Sequence, residues 1–200
     1  MKRAMSILIG GIILMASCKE TAKKNEEVSA TPVSITEKEA SELNVLCKIN
    51  GEPWSFTEGS GVLVEDKNKD MRLLKLTFTK YLNPGKEYVG LTYNEATKEL
   101  IEASVQIKQP GKGDKRIHAI YLYNERTTED NPKSSVSGQV TIGEEVASGN
   151  AQLQNLHIQY EGSLLANQKD AEITVTELSF NDIPFSDVKK EMEAIFKNSK

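Results

Sequence analysis

The side chains best spaced for chemistry lie in Asp66-Lys67-Asn68-Lys69-Asp70. Asp-x-Asn-x-Asp sets oxygen ligands at alternate positions of one loop, the arrangement that opens a calcium-binding loop. The rest of that motif is missing. Met71 stands where a glycine must make the turn, and Thr77 where a bidentate glutamate must close the shell. A solvated hairpin turn explains the same residues. His118 and His157 are the only histidines, so a zinc site would have to be assembled from distant strands. His118 shares a strand face with Ile120 and Leu122 and reads as a satisfied core histidine. His157, between Leu156 and Ile158, reads as a surface residue. Gly59-Ser60-Gly61 lacks the Gly-x-Ser-x-Gly spacing of a nucleophile elbow and reads as a turn. The segment from Gly138 to Gly143 lacks the lysine of a phosphate loop. Tyr81, Tyr88, Tyr93, Tyr121 and Tyr123 offer aromatic surface for a sugar or lipid, although antiparallel strands use the same residues for packing. No cofactor, metal set or catalytic residue is therefore assigned from the sequence.

One thiol does have a defined chemistry. Lys2 and Arg3 precede an apolar run from Ile7 to Ala16 that ends in Met15-Ala16-Ser17-Cys18. A membrane-spanning helix needs about 20 apolar residues, so this run is too short to stay in a bilayer as one. A charged start, a short apolar middle and small residues before the cut are the features of a secretory signal. The tetrad resembles the lipobox of bacterial lipoproteins, in which the cysteine sulfur takes a diacylglycerol and becomes the first residue of the mature chain. That resemblance implies a leader over residues 1–17 and a lipid attachment site at Cys18. It also implies a membrane partner reached through N-terminal acyl chains, since two or more chains anchor stably where one does so only marginally. Lys19 after the cysteine, rather than aspartate, points to the outer membrane of a Gram-negative bacterium.

The elements follow from composition and period. The formal charge is −4 and grows more negative when Lys2 and Arg3 leave with the leader. A nucleic-acid binder would show a basic excess, so no nucleic-acid partner is expected. With Cys18 acylated, Cys47 has no partner in the chain and reads as a small buried apolar residue. Residues 18–43 form the acylated cysteine and a polar tether. Its Lys, Glu, Thr, Asn, Ser and Pro have little to bury, although Thr36-Glu37-Lys38-Glu39 matches a capping box. Residues 44–200 form one domain, long enough for a sizeable core.

From Val45 the apolar period is two. Asn50-Gly51 is the preferred type I′ hairpin pair, and Trp54 follows as the expected structural anchor of the core. Leu74, Leu76 and Phe78 alternate with polar residues, and so do Ile101, Ala103, Val105 and Ile107. Arg116 to Tyr123 is apolar on both faces, as a central covered strand would be. About nine or ten short strands without intervening helices predict an all-β fold, an antiparallel sandwich or barrel. Val188, Met192, Ile195 and Phe196 then fall on one stripe of a short C-terminal α-helix.

Asn50-Gly51-Glu52-Pro53-Trp54, after a lipobox and a polar tether, resembles a group of small all-β lipoproteins of Bacteroidota. Their late Ser-Gly-x-(Val/Phe) strand is similar to Ser137-Gly138-Gln139-Val140. Lipocalins offer a second resemblance through a glycine-tryptophan pair in the first strand and a late helix, but here the spacing is Gly-x-x-Trp. The expected function is a lipid-anchored envelope protein that binds a partner protein or glycan without catalysis. The alternatives are a lipocalin-like barrel carrying a small apolar ligand and a glycan-directed hydrolase using converging carboxylates.

Overall fold

The computed structural model describes residues 44–186. Cys18, the leader, the tether, and the expected helix carrying Val188 and Phe196 lie outside them. The described chain forms ten strands: β1 (Asn44–Ile49), β2 (Glu52–Phe56), β3 (Glu58–Asp66), β4 (Met71–Tyr81), β5 (Lys86–Asn94), β6 (Leu100–Pro110), β7 (Arg116–Tyr123), β8 (Ser135–Ile142), β9 (Val146–His157) and β10 (Glu172–Pro184). They make two antiparallel five-stranded sheets, ordered β2-β1-β10-β9-β8 and β3-β4-β5-β6-β7.

Asn50 and Gly51 take positive φ of 50° and 87°, and Ile49 pairs with Glu52 across them. A type I′ turn needs positive φ at both central residues, which asparagine and glycine tolerate best. Asn50 also ties the hairpin to β10. Its N–H donates to the Thr174 carbonyl at 2.9 Å, and its side-chain oxygen accepts from Thr174 N at 2.8 Å. The chain then changes sheets at Thr57, whose N–H donates to the Thr79 carbonyl at 2.8 Å. An uninterrupted meander, β3 to β7, makes the second sheet.

The sheets pack face to face rather than closing into a barrel. At the corners the ladders give way to single bridges: Gly61 with Phe185, Glu99 with Gln139, and Tyr121 with Ile158. The barrel alternative is thereby corrected. Between the sheets lie Leu74, Leu76, Phe78, Val89, Leu91 and Val105 from one side and Leu153, Leu156, Ile173, Val175, Leu178 and Phe180 from the other. Phe78 sits edge-on to Phe56 at 5.2 Å between ring centroids and tilted against Phe180 at 5.4 Å.

Four further expectations are corrected. Arg116–Tyr123 is an edge strand, not a central one. Its outward Ile120 and Leu122 are half-buried, and Gln159 N donates to the Ile120 carbonyl at 2.8 Å. His118 on that face is exposed, not a core residue. In β6 a register shift opposite Thr92 and Tyr93 places Leu100 in the core and leaves Ile101 half-buried. Gly59-Ser60-Gly61 belongs to β3 rather than to a turn. A side chain at Gly61 would press on Leu76 and Phe185, which explains glycine there. A short helix α1 (Glu125–Asp130) also follows β7. The Asn124 side chain caps it by accepting from Arg126 N and Thr127 N, while Thr127 Oγ1 accepts from Asn124 N.

Buried ionisable groups set the alkaline limit of this core. Burial pushes the Cys47 thiol up from 9.0 to about 12 and the Tyr121 phenol up from 10.0 to about 12. It pushes the Tyr93 phenol up as well. Raised folded values favour the neutral forms. The stability they contribute is complete below the unfolded values, and it is lost as pH climbs toward the folded ones. Each unit is worth about 1.4 kcal/mol. Urea midpoints measured by circular dichroism are therefore expected to hold up to about pH 9 and to fall steeply between about pH 9 and 12.

Candidate functional site

Asp66-Lys67-Asn68-Lys69-Asp70 forms the β3–β4 hairpin turn. The Asp66 carboxylate accepts from Asn68 N at 3.0 Å, an Asx turn. Asp70 closes the loop at φ 48°, and Lys69 reaches Glu125 at 2.9 Å. Asp66 is thus aimed at its own backbone, and Lys69, one of the loop's two cations, is held by Glu125 of α1. Among the described residues no group of three or more His, Cys, Asp or Glu is placed to hold a metal.

The two histidines are kept apart. His118 lies on the second sheet with Nδ1 3.2 Å from Gln106 Nε2, while His157 ends β9 opposite Glu172 in the first sheet. The tyrosines do not converge on one surface either. Tyr93 and Tyr121 are fully buried, whereas Tyr81 is exposed. The Tyr93 hydroxyl donates to the Asn150 carbonyl at 2.8 Å, and the Tyr121 hydroxyl donates to the Asp170 carbonyl.

Trp54 organises the most elaborate buried polar group. Its indole is 5 % exposed, and Nε1 donates to Glu87 Oε2 at 3.1 Å. Glu87 Oε1 accepts from Lys108 N at 2.9 Å, and Lys80 Nζ lies 4.0 Å from Oε2. Both carboxylate oxygens are engaged, so the group clamps β2 to β5 and β6. A hollow of about 280 Å³ opens beside it, bordered by Asn50, Glu52, Gln109 and Asp170. Glu87 is the residue that sequence reasoning missed. Its place just after the Asn83-Pro84-Gly85 turn reads as solvated, yet it alternates with the inward Val89 and Leu91, and that signal marks it as facing in.

The outer face of the first sheet differs from the rest of the surface. Ser135, Ser137, Gln139 and Thr141 alternate along β8, opposite Gln154, Gln152, Asn150 and Ser148 of β9. Ser179 of β10 continues the row from Asn150. All but the half-buried Ser148 are exposed, and none is charged. Charges appear at the border, where Glu177 is paired with Lys48 at 2.8 Å and Asp182 accepts from Ser148 Oγ at 3.4 Å. An open hollow of about 440 Å³ is lined by Ser137, Asn150, Gln152, Glu177 and Ser179. The comparable hollow on the second sheet, about 250 Å³, mixes Lys75 and Glu102 with Thr77, Thr92 and Ser104. A neutral array of hydroxyls and amides donates and accepts hydrogen bonds without a net field. It suits a hydroxylated ligand. No protein-family model, no curated protein and no solved structure matches this chain.

Proposed function

We propose that this is a lipid-anchored cell-envelope protein of the outer membrane whose β domain binds a neutral glycan without catalysis. The observation that carries the binding reading is the uncharged row of hydroxyls and amides on β8 and β9, continued by Ser179 and edged by Glu177 and Asp182 of β10, in a chain where 27 % of residues are charged. Sugar hydroxyls pair with amide and hydroxyl groups in both directions. The two-sheet packing supports a binding face over a barrel carrier, which needs an enclosed apolar cavity. The anchor reading rests on the leader and Cys18.

Two measurements test the two halves separately. Cells fed an alkyne fatty acid are expected to label the wild-type protein and not Cys18→Ser; equal label in both would remove the anchor. Asn150→Lys puts a charge in the middle of the neutral face, where stability should change by no more than about 0.5 kcal/mol. Its affinity for a neutral polysaccharide, measured by calorimetry, is expected to fall at least roughly tenfold because a desolvated charge is left unpaired. A panel of neutral glycans that fails to bind the wild type would end the reading.

A further inference from the structure

Four polar residues are buried among the described residues: Glu87, Thr92, Thr127 and Ser134. Three of them have partners. Glu87 accepts from Trp54 Nε1 and Lys108 N. The Thr127 hydroxyl donates to the Asn124 carbonyl at 3.1 Å and accepts from Asn124 N. The Ser134 hydroxyl donates to the Asn155 carbonyl. Thr92 is 9 % exposed, and its hydroxyl has no hydrogen-bond partner among the described residues. A buried polar group without a partner calls for an account. No fully enclosed side-chain nitrogen or oxygen of the described residues is left unbonded, so the Thr92 hydroxyl must open on a hollow.

That hollow is the one of about 250 Å³ on the outer face of the second sheet. Leu91 and Tyr93 belong to the core, so the alternation of β5 turns Gly90 and Thr92 outward. Two rungs of the ladder build the site. Thr92 lies between Lys75 of β4 and Glu102 of β6, and Gly90 lies between Thr77 and Ser104. Gly90 makes the floor. A Cβ there would lie 2.5 Å from Ser104 Oγ, and no backbone comes closer than the Leu76 carbonyl at 3.9 Å. Glycine inside a strand marks a place where a ligand or another backbone approaches, and here no other backbone does. The space a side chain would fill is left open beside the unbonded hydroxyl.

The lining sets the ligand's chemistry. Thr77, Thr92 and Ser104 can each donate and accept, Glu102 only accepts, and Lys75 only donates. The two opposite charges leave the rim without net charge. Neighbouring hydroxyls on a ring need such a mixture, because each donates one way and accepts the other. The volume sets the size. It falls short of the roughly 300–1,000 Å³ of pockets for drug-sized ligands, so it suits one ring rather than a chain. We infer that this groove binds a single neutral sugar ring, with Gly90 as its floor and the Thr92 hydroxyl as its buried hydrogen-bonding group. The site is on the opposite sheet from the row on β8 and β9 and does not rest on the reading of that row.

The test is saturation-transfer NMR on the full-length protein with glucose, galactose, mannose and N-acetylglucosamine, each alone. At least one sugar is expected to receive saturation. Thr92→Val removes the hydroxyl and keeps the branched shape, and Gly90→Val fills the floor. Each is expected to weaken that sugar's affinity roughly tenfold or more, as the loss of a buried hydrogen bond does. Thermal melts separate binding from folding. An unbonded hydroxyl adds nothing to the fold, so Thr92→Val should melt no lower than the wild type. A lower melting temperature for Thr92→Val means the hydroxyl serves the fold and overturns the inference. So does the absence of saturation for all four sugars, or affinity unchanged in Thr92→Val. Saturation of free alanine in place of the sugars overturns it in favour of a zwitterion held between Lys75 and Glu102. If Gly90→Val does not fold, Thr92→Val decides alone. The calorimetry of Asn150→Lys reads the other sheet, so the two sites can fail separately.

Discussion

Replacing Trp54 with alanine is expected to lower the unfolding free energy by about 3–5 kcal/mol, the usual cost of removing a large buried aromatic. The loss has two sources. The indole leaves a void between β2 and the second sheet, and Glu87 keeps its burial while losing the donor at Oε2. A buried acceptor left without a partner costs about 1–3 kcal/mol, so Trp54→Ala should stand at the upper end of the range. Trp54→Phe restores most of the volume but not the N–H and should fall in between. Glu87→Gln keeps an acceptor for the indole and should cost least. Urea melts followed by far-ultraviolet circular dichroism rank the three. An unmoved midpoint for Trp54→Ala would show that the clamp does not hold the sheets together. Domains of this size are stable by about 5–15 kcal/mol in total, so the alanine variant should lie near the edge of folding.

The second large effect lies in the β8–β9 ladder. A side chain at Gly149 would run into the Gln139 carbonyl and reach Phe180 at 3.0 Å, and one at Gly138 would run into the Asn150 carbonyl. Those carbonyls belong to the partner strand, so neither can swing away as a side-chain tip would. Gly149→Ala and Gly138→Ala are each expected to cost about 1–3 kcal/mol or more, with slower folding if the ladder must shift register. Gly51 provides the contrast. No atom lies within 4 Å of the site a side chain would take there. Its φ of 87° leaves only backbone strain, so Gly51→Ala should cost about 1–2 kcal/mol. Thermal melts of the three variants give the order. A harmless Gly149→Ala would mean the strands are further apart than the pairing implies.

Local signals in the sequence carried much of this architecture. Asn50-Gly51 named its own turn because few residues accept positive φ. The alternation of Leu74, Leu76 and Phe78 named its own inward face because neighbouring side chains on a strand point opposite ways. What escaped depends on partners distant in sequence. Leu100 replaced Ile101 in the core because of a bulge, and a bulge exists only where two strands meet. His118 was read as buried because Ile120 and Leu122 share its face. That face turns away from the partner sheet, and there Ile120 and Leu122 are only half-buried and His118 exposed. Helix α1 escaped because its cap is Asn124 with Thr127, without the usual glutamate. The neutral face was legible as a period-two run of Ser and Gln in β8, but only the pairing with β9 and β10 turns separate runs into one surface.

The half-sealed corners of the sandwich bear on what happens when copies are crowded. β2 carries Pro53, which offers no N–H to a neighbour. β3 is met by Phe185 and Ser186, β7 by Ile158 and Gln159, and β8 by Lys98 and Glu99. A second molecule arriving side-on therefore finds each edge interrupted by a contact already made, or by a proline, where an open strand would let it zip on. On the membrane surface proposed for it, where collisions between identical molecules would be most frequent, that would help keep each molecule a separate unit.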